Sequence, residues 1–494
     1  MKLKVLTAII LTGFFGVSCS EKLSPLPTDS VSDEQIFSSV EAAQTALNAA
    51  HQYVGDYQNH TLGYIMADVM GEDATITSGA YGRPTYNWNM FSYSYSQVPT
   101  SEPWWSGYAN YIWPITYKAI DHVNSIIEYT ADLPDTPDRN ELIAKAHGLR
   151  GYCYLYLVRL FAPAYTLDKS ALSVVLRLEP ANAASEHLPR ATVEATYEQI
   201  IKDLTYAYEN ITDNNIDFIT SKSAALLLAR AYLDMADYAN ASKYAGIAAD
   251  NVFNGSNLMS QEEYASGFRD RNQEWLWSQT FNAATSNIYA SLPSFYYLAR
   301  GYEGYPYGGK VDINDMLNTE IAIELWDGYG TVRFTEAFVN MFEATDCRKL
   351  FPFYFYEEDG FFTSKFNHRS MLGDADFPMA RIAEAYLIKA EAELHLGGDA
   401  AGPLNALQIK RGATPTSATI ENISIERRKE FYGEGFRLHD IKRLHQPLVR
   451  SPHKEHWAKI DLPADSPRFM LPVPENEMLF NDAITPDQQN EYWR

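Results

Sequence analysis

Apolar residues recur at helical spacing from the first part of the chain onward, starting with Val40 to Val54, where Ala and Leu return on one face. Amphipathic stretches at 114–130, 141–161 and 194–210 predict further helices. Two later segments share one layout. In 223–250, small residues at Ala225, Ala229 and Ala231 alternate with Leu227, Leu228, Tyr232 and Met235; a turn at Ala236-Asp237 follows, then Ala241, Tyr244, Ala245 and Ala248. In 381–410, Leu387, Ile388, Ala390, Ala392, Leu394 and Leu396 precede a Gly397-Gly398 turn and then Leu404 and Leu407.

Each segment reads as two antiparallel helices with small residues at the close contacts, which resembles a tetratricopeptide repeat. Such a pair buries its apolar face only against neighbours, so several pairs should stack. The expected fold class is mainly α, a tetratricopeptide-like superhelix with a long, irregular, loop-rich insertion. That insertion spans about 251–375, where Gly, Pro, Asn, Ser and Tyr crowd together, as in GYEGYPYGGK at 301–310, and helical periodicity fades. Loops on a rigid scaffold are the usual place for a binding site.

The N-terminus reads as an export signal, residues 1–18: Lys2 and Lys4, an apolar run from Val5 to Val17, then small residues up to Cys19. The run is about 13 residues, short of the roughly 20 needed to cross a bilayer. Cys19 follows Gly16-Val17-Ser18 and reads as a lipidation site, with Gly16 where such sites commonly carry Leu. Residues 19–35, polar and with two prolines, then form a lipidated tether. Acyl chains contribute about 0.8 kcal/mol per buried CH₂, so several of them hold a protein without a spanning helix. The 494 residues suffice for a large core, and the net charge of −23 disfavours phosphate backbones and nucleic acid. Besides Cys19 there are Cys153 and Cys347, with no disulfide framework and no metal-binding cysteine pair. Cys153, among Tyr152, Tyr154 and Leu155, reads as a small core hydrophobe.

Two segments concentrate aromatic and planar polar residues. The first, 79–105, holds Arg83, Tyr86, Asn87, Trp88, Asn89, Tyr93, Tyr95, Trp104 and Trp105; the second runs from Tyr289 through Tyr296, Tyr297 and Tyr302 to Tyr307. A sugar ring stacks its C–H face on an aromatic ring while its hydroxyls pair with Asn, Asp or Arg. The same mixture suits a peptide, and aromatic rings also fill cores. Metal and catalytic signals are weak. His453 and His456, with Glu455 between them, read as surface histidines in a polar loop, and Glu357-Glu358 as ordinary acidic pairs. No cofactor motif and no nucleophile elbow occurs in the sequence. Between Glu426 and Arg443 charges alternate in sign at helical spacing through Arg427, Arg428, Glu430, Glu434, Arg437 and Asp440, as in an ion-pair network locking two helices.

Several blocks, in order, carry a resemblance: Trp113, Tyr117, Ile120 and Asn124; ELIAKAHGLRGYCYLYLVRLFAP at 141–163; ATVEATYEQIIKDLTYAY at 191–208; Asp346 and Arg348; IERRKEFYGEGFRLHDIKR at 425–443; and LPVPENEMLFND at 471–482. Together they resemble the SusD/RagB-like nutrient-binding lipoproteins of the Bacteroidetes outer membrane. Gly148 departs from that pattern, standing where a bulky apolar residue is common, and is expected to weaken one packing contact. The resemblance implies one domain over 36–494, with helical scaffold at about 36–250 and 376–450, a ligand-binding part at about 251–375 and a tail at 451–494. It implies a lipid-anchored, cell-surface, non-catalytic protein that binds a glycan or a peptide and passes it to a SusC-like TonB-dependent transporter. It directs attention to Arg83, Trp88, Asn89 and Tyr296, beside Tyr86 and Tyr297, as ligand-binding residues. An exported all-helical glycoside hydrolase and a pure assembly scaffold are the rival readings.

Overall fold

The computed structural model describes residues 36–56, 60–76, 109–182, 185–282, 284–286, 291–296, 330–351, 360–369 and 373–493. In chain order the elements are α1 (Val40–Gly55), α2 (Thr61–Val69), β1 (Ala74–Ile76), α3 (Ala109–Tyr129), α4 (Pro137–Phe161), β2 (Leu172–Val175), β3 (Arg190–Thr192), α5 (Val193–Asn210), α6 (Ser221–Asp234) and α7 (Tyr238–Ala248). They continue with α8 (Gln261–Ala265), β4 (Trp275–Gln279), α9 (Leu292–Tyr296), β5 (Val332–Phe334), α10 (Glu336–Val339), β6 (Phe377–Arg381), α11 (Ile382–Leu396), α12 (Ala401–Lys410), α13 (Ile420–Phe431), α14 (Arg437–Arg443) and α15 (Glu475–Phe480).

The long helices begin where a side chain can satisfy the first free amides. Ser39, Thr136, Thr192 and Asp237 each accept a backbone N–H of the turn they open, and Thr220 forms a reciprocal capping box with Ser223. Ala236, at φ +57°, and Asp237 make the tight turn from α6 to α7; Gly397, at φ +73°, ends α11 in the left-handed conformation. The helices pack in sequence: α1 on α3, α3 on α4, α4 on α5, α5 on α6, α6 on α7, α7 on α11, α11 on α12 and α13. This is the stacked, mainly helical superhelix expected from the periodicity. α4 lies inside it, buried along nearly its whole length from Leu142 to Phe161.

Gly148 has a different effect from the one its departure suggested. A Cβ there would lie 2.9 Å from Ile219 Cγ2 and 3.1 Å from Ala207 Cβ, so the space of a larger side chain is already filled from the neighbouring elements. The glycine lets α4 and α5 approach; it leaves no gap. Across the same interface Arg150 donates to both oxygens of Asp203, at 2.9 and 2.8 Å, and to Asn124 Oδ1 at 2.9 Å. Asn124 in turn donates to the carbonyls of Arg177 and Glu179. Tyr117 donates to the Val175 carbonyl at 2.6 Å.

Three two-stranded antiparallel sheets complete the described architecture, β1 with β5, β2 with β3 and β4 with β6. Between 251 and 375 the described elements are short. That part is held to the helices by buried charge. Glu274, Asp346, Glu426, Glu430 and Glu434 meet Arg348, Lys365, Arg381, Arg411 and Lys429, as many cations as carboxylates, all essentially out of solvent. Glu430 sits at the centre, with Arg381 Nη1 at 2.6 Å, Arg411 Nη2 at 2.9 Å and Arg348 Nη1 at 3.0 Å. Arg381 and Arg411 also share Glu274 at 2.7 and 2.8 Å, and Arg381 and Lys365 share Glu434. Asp346 takes Arg348 and Lys429. Burial pushes the Glu430 carboxyl up, but the charges of Arg411, Arg381 and Arg348 outweigh it and hold the group well below the usual carboxylate range.

The alternating charges of 426–443 therefore do lock α13 to α14, through Arg427 and Arg443 on Asp440 at 2.9 and 2.7 Å, but most of their partners come from elsewhere. Arg443 pairs with Glu391, Arg437 with Glu72 and Arg428 with Asp73. Glu430→Gln should cost roughly 3–5 kcal/mol of stability in urea unfolding, because it leaves buried guanidinium groups uncompensated. A loss under about 1 kcal/mol would show that the network does not hold the fold.

Candidate ligand-binding face

Strand β1 ends at Ile76 and β5 starts at Val332, and these two residues are directly paired. The chain therefore leaves for the first aromatic-rich segment, and returns from the second, at one edge of the scaffold. Phe361 joins the same edge, exchanging both backbone hydrogen bonds with Phe334 at 2.8 Å. Three-residue strands alone are weak, so their position depends on what lies beneath them. Here that is an aromatic layer: Phe334 packs edge-on to Tyr432 at 5.3 Å and beside Phe338 and Phe351 at 5.4 and 5.5 Å.

Tyr296 belongs to this layer. It is fully buried, stacked on Phe334 at 5.9 Å and tilted against Phe366 at 5.1 Å, and its hydroxyl donates to Asp68 Oδ2 at 3.4 Å. Asp68, on α2, also accepts the Gly435 backbone N–H at 3.3 Å. Burial pushes the Asp68 carboxyl up to about 7. Arg83, Tyr86, Trp88, Asn89, Tyr297 and Cys19 lie outside the described residues, as do Glu357 and Glu358.

A second brace was not legible in the sequence. The loop 450–457 is sewn along residues 69–76. Arg450 donates to the carbonyls of Val69 and Gly71 at 2.5 and 2.9 Å, His456 Nε2 to that of Glu72 at 2.8 Å, and Trp457 Nε1 to that of Ile76 at 2.8 Å. Thr75 Oγ1 donates back to the Glu455 carbonyl at 3.0 Å, and the Glu455 carboxylate caps α10 by accepting the Glu336 N–H at 3.0 Å. The expectation of two surface histidines is thus corrected for His456, which is fully buried with its ring nitrogen on the Glu72 backbone just ahead of β1. Burial lowers its imidazole to about 3, so it stays neutral. Among the described residues no group of three His, Cys, Asp or Glu side chains is placed to hold a metal.

At the start of α9, Leu292 and Pro293 line a small cavity of about 20 Å³ together with His60, Phe281, Phe366 and Phe377. Asp376 on its wall is held by Arg271 and Arg369 at 3.2 and 2.8 Å. Cys153 is buried, and burial pushes the half-covered Cys347 thiol up to about 12, so neither is a reactive thiolate. No described helix is long and apolar enough to cross a membrane.

A family model for SusD-like proteins, described as starch-binding and associating with the outer membrane, matches residues 28–233, and the SusD family model matches 354–493. The starch-binding protein SusD of Bacteroides thetaiotaomicron is 41% identical over 73 residues, 14% of this chain and 13% of that protein. A SusD-like protein of Bacteroides ovatus is 23% identical over 288 residues, 56% of this chain and 48% of its own length. The chain thus spans about half or less of the curated relatives it matches. A solved SusD-like carbohydrate binding protein from Bacteroides vulgatus superposes with a TM-score of 0.74 at 25% identity, covering 92% of this chain and 98% of that one.

Asp68 gives the face a pH signature. Its folded-state value lies above the ordinary one, so its contribution to stability is complete at acid pH and is lost as pH rises through about 7. Asp68→Asn, which keeps an oxygen for Tyr296 and Gly435, should raise stability by roughly 2–4 kcal/mol at pH 8 and by little at pH 4. Equal effects at both pH values in urea titrations would refute the assignment.

Proposed function

The chain belongs to the SusD/RagB family, and from that membership we propose that it captures glycan oligosaccharides at the cell surface and delivers them to a partner SusC-like TonB-dependent transporter. In this reading residues 1–18 are a signal peptide, 19–35 a tether lipidated at Cys19, and 36–494 one SusD-like domain. The protein sits on the outer membrane by its lipid alone and works without catalysis or cofactor. A tethered site of modest affinity raises the ligand concentration above the transporter, and closure over the pore commits what is bound.

The observation that supports the glycan site is the common root of the two aromatic-rich segments at β1 and β5. One rigid edge lets residues about two hundred positions apart act on a single ligand. Arg83, Tyr86, Trp88, Asn89 and Tyr297 are the proposed contacts. Tyr296, closed in by Phe334 and Phe366, belongs to the aromatic layer under the β1–β5 edge. Aromatic faces beside Asn and Arg fit a sugar ring and its hydroxyls.

Isothermal titration of the form beginning after Cys19 against starch oligosaccharides, other plant, host and microbial glycans, and a mixed peptide pool tests the reading. Heat with one glycan class, at least about tenfold weaker for Trp88→Ala, is the expected result. Heat with peptides alone would move the ligand class to peptides, and release of reducing ends would favour the hydrolase. Independently, Cys19→Ser should shift the protein from the membrane pellet to the soluble fraction; retention in the pellet would overturn the anchor.

A further inference from the structure

Lys365, Arg381 and Arg411 are buried cations that each end on a carboxylate. Lys442, buried on α14, does not. Its Nζ donates to the carbonyls of Arg159 and Ala162 at 2.5 and 2.7 Å, and no carboxylate of the described residues lies within ion-pair distance of it. An ammonium group has three N–H donors, so one is left over. Arg159, in the last turn of α4, is similarly unspent. Its Nε stands 3.2 Å from Asp234 Oδ2 without the alignment of a hydrogen bond, and its two Nη groups make none with the described residues. His439, also on α14, is buried with Nδ1 unbonded.

These three side chains meet at one cleft where α4, α6 and α14 come together, with Tyr165, Asp234 and Arg443 also on its wall. Arg159 and Tyr165 are half-buried there, so it is a cleft in the surface and not a sealed void. Three cations and one carboxylate line it, and of the cations Arg443 is already held by Glu391 and Asp440. We propose that this cleft is an anion site that takes one carboxylate group, held between the Arg159 guanidinium and the Lys442 ammonium. The space, about 20 Å³, admits a carboxylate head but not a sugar ring. The fork of a guanidinium matches the two oxygens of a carboxylate, and a charged donor strengthens each bond. Burial, and then the charge of Arg159, lowers the Lys442 amine to about 7; an anion beside it would restore its charge. The ligand recognised in this way is an acid, either a small free carboxylate or the carboxylate of a uronic acid. The inference rests neither on the glycan reading nor on any residue proposed for it.

The test is isothermal titration of the form beginning after Cys19 with sodium acetate, sodium galacturonate and neutral galactose, with sodium chloride holding the ionic strength constant. Saturable heat with acetate and galacturonate, and none with galactose, is the expected result. Arg159→Gln and Lys442→Met should each weaken acetate by about tenfold or more, as expected for a lost charge-assisted hydrogen bond, while Trp88→Ala should leave it unchanged. Lys442→Met also removes the bonds to α4, so thermal melting accompanies each variant, and Arg159→Gln decides if Lys442→Met does not fold. No heat with acetate beyond that of the chloride it replaces, or equal affinity in the parent and Arg159→Gln, overturns the inference. Heat with galacturonate but not with acetate overturns it as well, because recognition would then lie in the sugar.

Discussion

The fold depends on charge buried around Glu430. Taking ions out of water costs several kcal/mol each, and the cost is offset only where geometry and charge balance are both good. Here three guanidinium groups converge on one carboxylate, and neighbouring carboxylates and cations complete the balance. The partners enter from the start of β4, the 346–348 turn, the β6–α11 junction, the end of α12 and α13. The network therefore fixes how the loop-rich part sits on the helices, which apolar packing, being non-directional, would leave less determined.

From that centre a short relay leads to the β1–β5 edge where the candidate ligand segments are rooted. Glu434, bound to Arg381 and Lys365, is followed by Gly435, whose N–H reaches Asp68, which in turn receives Tyr296. Gly435 is at φ +74°, and a Cβ would lie 2.4 Å from the Tyr64 ring, so another residue would break the relay by strain and by collision. Arg437 and Arg428, on either side, hold Glu72 and Asp73 just before β1. The root of the candidate ligand segments is thus tied to the most deeply buried charges in the described structure, although the root strands are three residues long.

The helical scaffold was legible because its information is local. Alanine spacing and the Ala236-Asp237 and Gly397 turns each act within a few residues, and α6, α7, α11 and α12 lie where they indicated. The charged block was legible as an ion network but not in its wiring. Signs at helical spacing suggest partners on the same helix pair, whereas Glu430 and Arg437 find theirs up to several hundred residues away. β1 and β5 were invisible, since three residues cannot show an alternation. The role of loop 450–457 was hidden for another reason: its bonds go to backbone carbonyls between Val69 and Ile76, which no side-chain pattern announces. A lone Trp beside His456 in a polar loop was the available signal. Tyr296 shows the reverse problem, because an aromatic-rich segment reads the same whether a ring faces a ligand or the core.

These observations separate two kinds of residue. The blocks by which the chain resembles its family are the ones that build the helical stack and the buried charge: Asn124, Arg150, Arg348, Glu430 and Arg437 all have their polar atoms engaged within the protein. Such residues are constrained by partners on several elements at once, so a change in one demands changes in others. Ligand contacts carry no such burden, because a loop rooted on a rigid edge can be exchanged without disturbing the edge. A recognisable sequence therefore identifies the scaffold and leaves the ligand open, because the shared blocks are the ones whose side chains are spent within the protein.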